Sequence, residues 1–184
     1  MPLIVEDGTG LESAESYDTI ENIAAYAVKV GKSFPITGSD GPATAAAIAA
    51  AEAAARRATA WIDGEYRSRF QGAPTTAEQA LEWPRSGVMY RGTELPEDII
   101  HRKIKEATAE AAIRELANPG ALSPDVIPGA IKTRVRVEGA VDVTYAEGAG
   151  AEGQIPVIKT IGDLLADFLK PKQGNTLVGF AARA

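Results

Sequence analysis

Arginines and aromatic rings interleave between residues 56 and 91. Arg56, Arg57, Arg67, Arg69, Arg85 and Arg91 share this block with Trp61, Tyr66, Phe70, Trp83 and Tyr90. Guanidinium groups beside stacking faces are the chemistry that grips a single nucleic-acid strand. Arg67, Arg69 and Trp83 are the candidate contacts. Asp63, Glu65, Glu78 and Glu82 offset much of the charge, however, and the chain of 184 residues carries a formal net charge of −6. That balance argues against a dedicated nucleic-acid binder, which normally shows a basic footprint.

Other chemistries find little support. Gly8-Thr9-Gly10 lacks the third glycine and the following helix of a dinucleotide loop. His101, the one histidine, is flanked by Arg102, Lys103 and Lys105, with Asp98 the nearest carboxylate in sequence. It reads as a solvated surface residue and not as a metal ligand or a general base. Asp163 and Asp167 stand at helical spacing beside Leu164 and Phe168, as the wet side of a helix would. The absence of cysteine excludes thiol catalysis, disulfides and thiolate metal sites. No nucleophile elbow or paired histidines occur. No catalytic residue, cofactor or metal is expected, and the protein is not expected to be an enzyme.

The block is organised by Trp83-Pro84-Arg85. Proline disfavours helix at the residue before it, so Trp83 should be extended. A large amphipathic ring held at such a stop suits a groove between helices, with its indole N–H seeking an acceptor. This is a structural signature first and a binding site second. A short helix over about 77–82, capped by Thr75 or Thr76, should lead into it.

Two long helices must frame that anchor, one over about 43–66 and one over about 96–117. In the first, Pro42 sits at the entry, and Ile48, Ala55 and Ile62 recur seven apart with Ala51, Ala58 and Trp61 on the same side. The second opens at Leu95-Pro96-Glu97-Asp98. It carries two apolar stripes, Ile100, Ile104, Ala107 and Ala111, and Ala109, Ala112, Ile113 and Leu116, so it should be covered on two sides. Asn118-Pro119-Gly120 ends it. A shorter helix from Thr19, its N-cap, to Val30 precedes them, and Leu3-Ile4-Val5 makes an N-terminal strand or ordered arm. Val88–Thr93 can be extended. High alanine content favours helices packed closely.

From Ile131 the apolar period changes to two, which predicts a β-hairpin over about 131–145. The apolar residues on both arms carry odd numbers. A three-residue loop centred on Gly139 therefore pairs Val137 with Val141 and Val135 with Val143, and sets Arg136 against Asp142. Glu147–Gly153 reads as a flexible linker. A last helix capped by Thr160 presents Ile161, Leu164, Leu165, Phe168 and Leu169 on one face, and an extended tail adds Leu177, Val178 and Phe180. This arm either folds back on its own core or docks on another subunit, and the sequence is even between the two. The expected class is mainly α. A small helical bundle with an N-terminal arm spans 1–125, the hairpin 126–150, and the linker, last helix and docking tail 151–184. No apolar run is long enough for a bilayer and no signal peptide opens the chain, so a soluble protein with no membrane partner is expected.

The order of these features resembles the head–tail connector, or adaptor, proteins of the neck of tailed phages, a family often labelled DnaT-like single-stranded DNA-binding proteins. The resemblance is carried by Leu3–Gly10 with Ser16-Tyr17, by Ala25-Tyr26, by Gln79–Gly87 around Trp83-Pro84-Arg85, by Leu95–Asp98, and by the apolar helix 161–169. Asn22 departs from it, where an acidic residue is more usual. The resemblance implies a virion structural protein, assembled in the host cytoplasm. It would be a homo-oligomer, a ring of roughly twelve copies packed head to tail. The ring would join the portal protein to a stopper or tail-terminator protein and line the conduit, with DNA passing through the lumen without specific binding. Ile161, Leu164, Leu165, Phe168, Leu169, Leu177, Val178 and Phe180 would dock on the portal or a neighbour. The alternative is a single-stranded DNA-binding module using residues 56–91.

Overall fold

The computed structural model describes residues 2–38, 41–42, 44–124, 134–137, 141–144 and 158–170. Within them the chain forms α1 (Ile20–Lys29), a two-residue ladder of β1 (Thr37–Gly38) and β2 (Gly41–Pro42), and α2 (Ala45–Tyr66). Next come β3 (Ala73–Pro74), β4 (Arg85–Ser86), β5 (Met89–Tyr90), β6 (Thr93–Glu94) and α3 (Arg102–Ala117). The hairpin β7 (Arg134–Val137) and β8 (Val141–Thr144) follows, then α4 (Lys159–Leu165), which tightens into a 3₁₀ turn over Ala166–Phe168. The fold is mainly α with small antiparallel β pairs, as expected.

The caps on α1 follow from its flanking residues. Thr19 is the N-cap, its hydroxyl accepting from the Asn22 amide at 3.2 Å. The Asn22 side chain reaches back to donate to Asp18 at 2.7 Å, which gives this departure from an acidic residue a partner of its own. At the other end Gly31 takes φ +70°, while its N–H donates to Val28 and that of Lys32 to Ala27. Those two bonds make a Schellman stop, which only glycine enters without strain.

α3 lies at the centre, packed against α1, α2 and α4. Ala51, Ala54, Ala55 and Ala58 of α2 and Ala107, Ala111 and Ala112 of α3 are fully buried. Small side chains on both helices let the axes approach closely. The covering of α3 exceeds the two expected stripes, because Thr108, Glu110 and Glu115 are buried as well. Each buried carboxylate has partners. Glu110 takes Lys32 at 2.6 Å, Tyr26 at 3.2 Å and Arg114, while Glu115 takes Arg57 at 2.6 Å and the Gly120 amide at 2.8 Å. Burial pushes the Glu110 carboxyl up, but Lys32 and Arg114 outweigh it and hold it below the usual range.

Several boundaries differ from expectation. α2 begins at Ala45 under a Thr44 cap, and Pro42 stands outside it, opposite Thr37. A hydroxyl that accepts the Ala47 N–H at 3.2 Å sets the start better than a proline two residues earlier. α3 begins at Arg102, because Leu95–Ile100 is held in extended and turn geometry. The Leu95 N–H donates to Val88, and the Glu97 carbonyl accepts from Thr75. Residues 77–82 are not helical. Thr76 and Gln79 do exchange the two bonds of a capping box, but Ala80 donates to Leu11, and the Gln79 side chain holds the Leu81 and Pro84 carbonyls. Tertiary partners thus take the polar groups a helix would have used.

In the hairpin, Val137 pairs with Val141, Val135 with Val143 and Arg136 with Asp142, the register that parity required. Residues 131–133, 138–140, the 147–157 linker and the tail from 171 lie outside the described residues. α4 starts one residue before Thr160, with no side-chain cap, so Thr160 is inside the helix.

Candidate functional site

The Trp83-Pro84-Arg85 unit sits where α2, α4 and the N-terminal loop converge. Trp83 is 1% exposed, and its ring meets Phe70 and Phe168 edge-on, at centroid distances of 5.8 and 5.5 Å. The Trp83–Pro84 peptide is cis. The indole Nε1 has no hydrogen-bond acceptor among the described residues, contrary to the expectation that it would find one. Its backbone N–H instead donates to the Tyr17 hydroxyl at 3.2 Å. Tyr17 in turn donates to Asp63 of α2, whose other oxygen accepts from the Glu82 N–H at 3.1 Å. A chain of hydrogen bonds therefore ties the start of α1, the last turns of α2 and the Trp-Pro loop.

Arg85 is 5% exposed. Its guanidinium donates to the Gln71 carbonyl at 2.8 Å, the Gly72 carbonyl at 3.1 Å and the Glu82 carbonyl at 3.1 Å, and pairs with the Glu82 carboxylate at 2.9 Å. It also lies over the Phe70 ring. With four of its five N–H groups engaged and the side chain buried, Arg85 fastens the two ends of the 71–86 loop and is not presented to a ligand.

The remaining arginines are mostly engaged by the acids that share the block. Arg56 pairs with Glu15 at 2.9 Å and Arg57 with Glu115. Arg67, 68% exposed, pairs with Glu82 at 3.2 Å. Arg69 is half-buried over the Tyr66 ring, with its Nε shut in and without a hydrogen-bond partner among the described residues. Of the three candidate DNA contacts, then, Arg67 is exposed and Arg69 keeps part of its surface. Trp83 does not, and its assignment as a stacking face is corrected. The rings with surface are Trp61, flanked with Leu122 by clefts of about 430 and 340 Å³, and Tyr90.

A second cluster was not anticipated. Tyr90 stacks on Phe168 at 5.4 Å and packs on His101 at 4.6 Å, while Arg91 and Lys103 lie over its ring. His101 is half-buried here and caps α3, its Nδ1 accepting from the Lys103 N–H at 3.2 Å. The solvated-surface expectation is therefore corrected. Burial, then the charges of Lys103 and Arg102, hold its imidazole below the usual pKa. The missed signal was position: a histidine just before a helical run can serve as the N-cap.

The C-terminal arm also resolves in favour of home. Ile161, Leu165, Phe168 and Leu169 are buried in the chain's own core and Leu164 is half-buried against it. Backbone bonds from Gln71 to Phe168 and from Lys170 to Arg69 pin the end of the arm. As a free docking face, 161–169 is corrected. Leu177, Val178 and Phe180 lie outside the described residues.

The Gly8-Thr9-Gly10 loop does gather amides as an anion site would. Its anion comes from within, since buried Glu6 accepts from Gly8 at 3.0 Å, Gly10 at 2.9 Å and Leu11 at 2.9 Å.

Asp63 supplies a pH prediction. Burial raises its carboxyl from 3.8 to about 6, against the lowering effect of its bonds to Tyr17 and Glu82. A folded pKa above the unfolded one means stability that is complete below the unfolded value and is lost as pH rises through about 6. Between pH 4 and 7 wild type should therefore lose up to about 3 kcal/mol relative to Asp63→Asn. Paired urea titrations across that range check it. Parallel pH profiles for the two proteins would refute it.

A family model described as "Putative DnaT-like ssDNA binding protein" matches residues 1–184. No curated protein and no solved structure matches the chain.

Proposed function

The chain belongs to this DnaT-like family, and we propose that within it the protein is a structural head–tail adaptor of a tailed bacteriophage. In this role a ring of roughly twelve copies sits below the portal, joins the DNA-filled head to a stopper or tail-terminator protein, and lines the conduit. The supporting observation is an uncovered apolar surface. The first two turns of α2 leave Ala45, Ala46, Ala49 and Ala50 exposed, with Ile48 at 37%, and Val28 on α1 is 79% exposed. Apolar side chains left in solvent are what a protein partner would cover. The net charge of −6 suits a conduit through which phosphate slides without sticking. Particles of the protein mixed with portal, viewed by electron microscopy, should carry an added ring on the portal. Bare portals at saturating protein would sink the proposal.

The family description favours a second role, binding of single-stranded DNA, and Arg67, Arg69, Trp61 and Tyr90 retain surface for it. An adaptor should show no saturable binding to a labelled oligonucleotide at physiological salt. Binding that weakens steeply with salt and vanishes in Arg67→Glu with Arg69→Glu would instead establish the second role.

A further inference from the structure

A cleft of about 580 Å³ opens where the end of α2 meets α4. Ile158 and Leu169 give it apolar sides, Tyr66 and Arg69 line it from the α2 end, and Lys170 closes the arm beside it. We propose that this cleft binds a small organic acid, a carboxylate carried on an apolar body. Arg69 and Lys170 hold the carboxylate, and the Tyr66 hydroxyl stands beside it. This goes beyond the adaptor reading and does not depend on it.

The first observation is an unmet donor. The Arg69 guanidinium lies over the Tyr66 ring, 5.8 Å from its centroid, but its buried Nε has no acceptor among the described residues. A shut-in N–H without a partner costs free energy and points to an acceptor still to come. A carboxylate supplies one. Its two oxygens match the Nε–Nη edge of a guanidinium as the side chain turns toward the cleft.

The second is Gly162, which also lines the cleft and sits in the middle of the seven-residue α4 without a positive φ. A Cβ there would meet only the Tyr66 hydroxyl, at 3.8 Å, which is an ordinary contact. Neither the backbone nor the packing of the described residues requires glycine, and glycine weakens a helix interior. What its missing side chain leaves open is the approach to the Tyr66 hydroxyl, which makes no hydrogen bond among the described residues.

The third is the balance of charge and surface. Lys159 is taken by Asp163 at 2.5 Å, which leaves Arg69 and Lys170 against the single carboxylate of Glu65. A surplus of positive charge selects an anion, and the apolar sides select one that brings a body to bury. Two cations are too few for a nucleic-acid strand, which is held by a groove that tracks its backbone.

The test uses 4-phenylbutyrate as the probe and the full chain, titrated by heteronuclear NMR. Binding should saturate at millimolar concentration, with amide shifts centred on Arg69 and Gly162. The alcohol 4-phenylbutanol, which keeps the body and lacks the charge, should bind about tenfold more weakly or worse, and so should acetate and inorganic phosphate. Arg69→Gln should weaken binding by a similar factor. Gly162→Leu should block the cleft and abolish binding while raising the urea midpoint, because leucine favours a helix where glycine does not. This variant decides the matter if Arg69→Gln does not fold. Equal binding of acid and alcohol, phosphate binding as tightly as the acid, or undiminished binding in folded Gly162→Leu would each overturn the proposal. So would the lack of any saturable binding, or displacement of the probe by a single-stranded oligonucleotide.

Discussion

Gly8→Ala is expected to destabilise the protein by about 3–5 kcal/mol, read as a large drop in the urea midpoint without a change in slope. Gly8 has φ +108°, a region that a side chain rarely enters. A Cβ there would stand 2.0 Å from the Asp98 carbonyl oxygen, so backbone and not a flexible side chain would have to give way. Movement of the loop would also pull the amides of Gly8 and Gly10 away from buried Glu6, leaving a carboxylate short of donors. Gly31 provides the control. It has a similar sign of φ but nothing within 4 Å, so Gly31→Ala should cost only about 1 kcal/mol. Comparable midpoints for the two variants would show that the close approach to Asp98 is not limiting.

Trp83→Ala is expected to cost about 3–5 kcal/mol, the usual range for emptying a fully buried aromatic site. Trp83→Phe should cost far less, about 1 kcal/mol, because the indole N–H surrenders no hydrogen bond and only part of the volume is lost. Equilibrium unfolding of both variants followed by far-UV circular dichroism measures the contrast. If phenylalanine proves as damaging as alanine, the indole N–H has an acceptor after all. The pair also separates roles, since a ring buried between Phe70 and Phe168 cannot be a stacking platform for bases.

Much of the fold was legible where one local rule acted without competition. Thr19 had no rival as the α1 cap, and the odd-numbered valines admitted one hairpin register. The two apolar stripes of α3 also showed that it would be covered on more than one side. Legibility failed where a distant partner outbid a local preference. Thr76 and Gln79 form their capping bonds, yet Leu11 takes the Ala80 N–H and no helix follows. Leu95–Asp98 resembled a helix start because proline and acids suit one, but Val88 and Thr75 hold that stretch open. Glu6, Glu110 and Glu115 were hidden for a related reason. A single residue gives no sign of burial when its counter-charge or donors come from a remote element, as Lys32 does for Glu110. For the candidate site, the interleaving of arginine and aromatic residues was visible, whereas their internal use was not. That depended on which carboxylates and carbonyls the fold would bring within reach.

Phe168 lies against Trp83, Tyr90 and His101 although many residues separate it from them in sequence. The ribosome therefore releases the wedge long after the residues it separates. Until then the rings from the middle of the chain face a gap, and a nascent chain halted before that point carries an open, sticky seam. The interior around these rings is thus completed only once residue 168 has been synthesised.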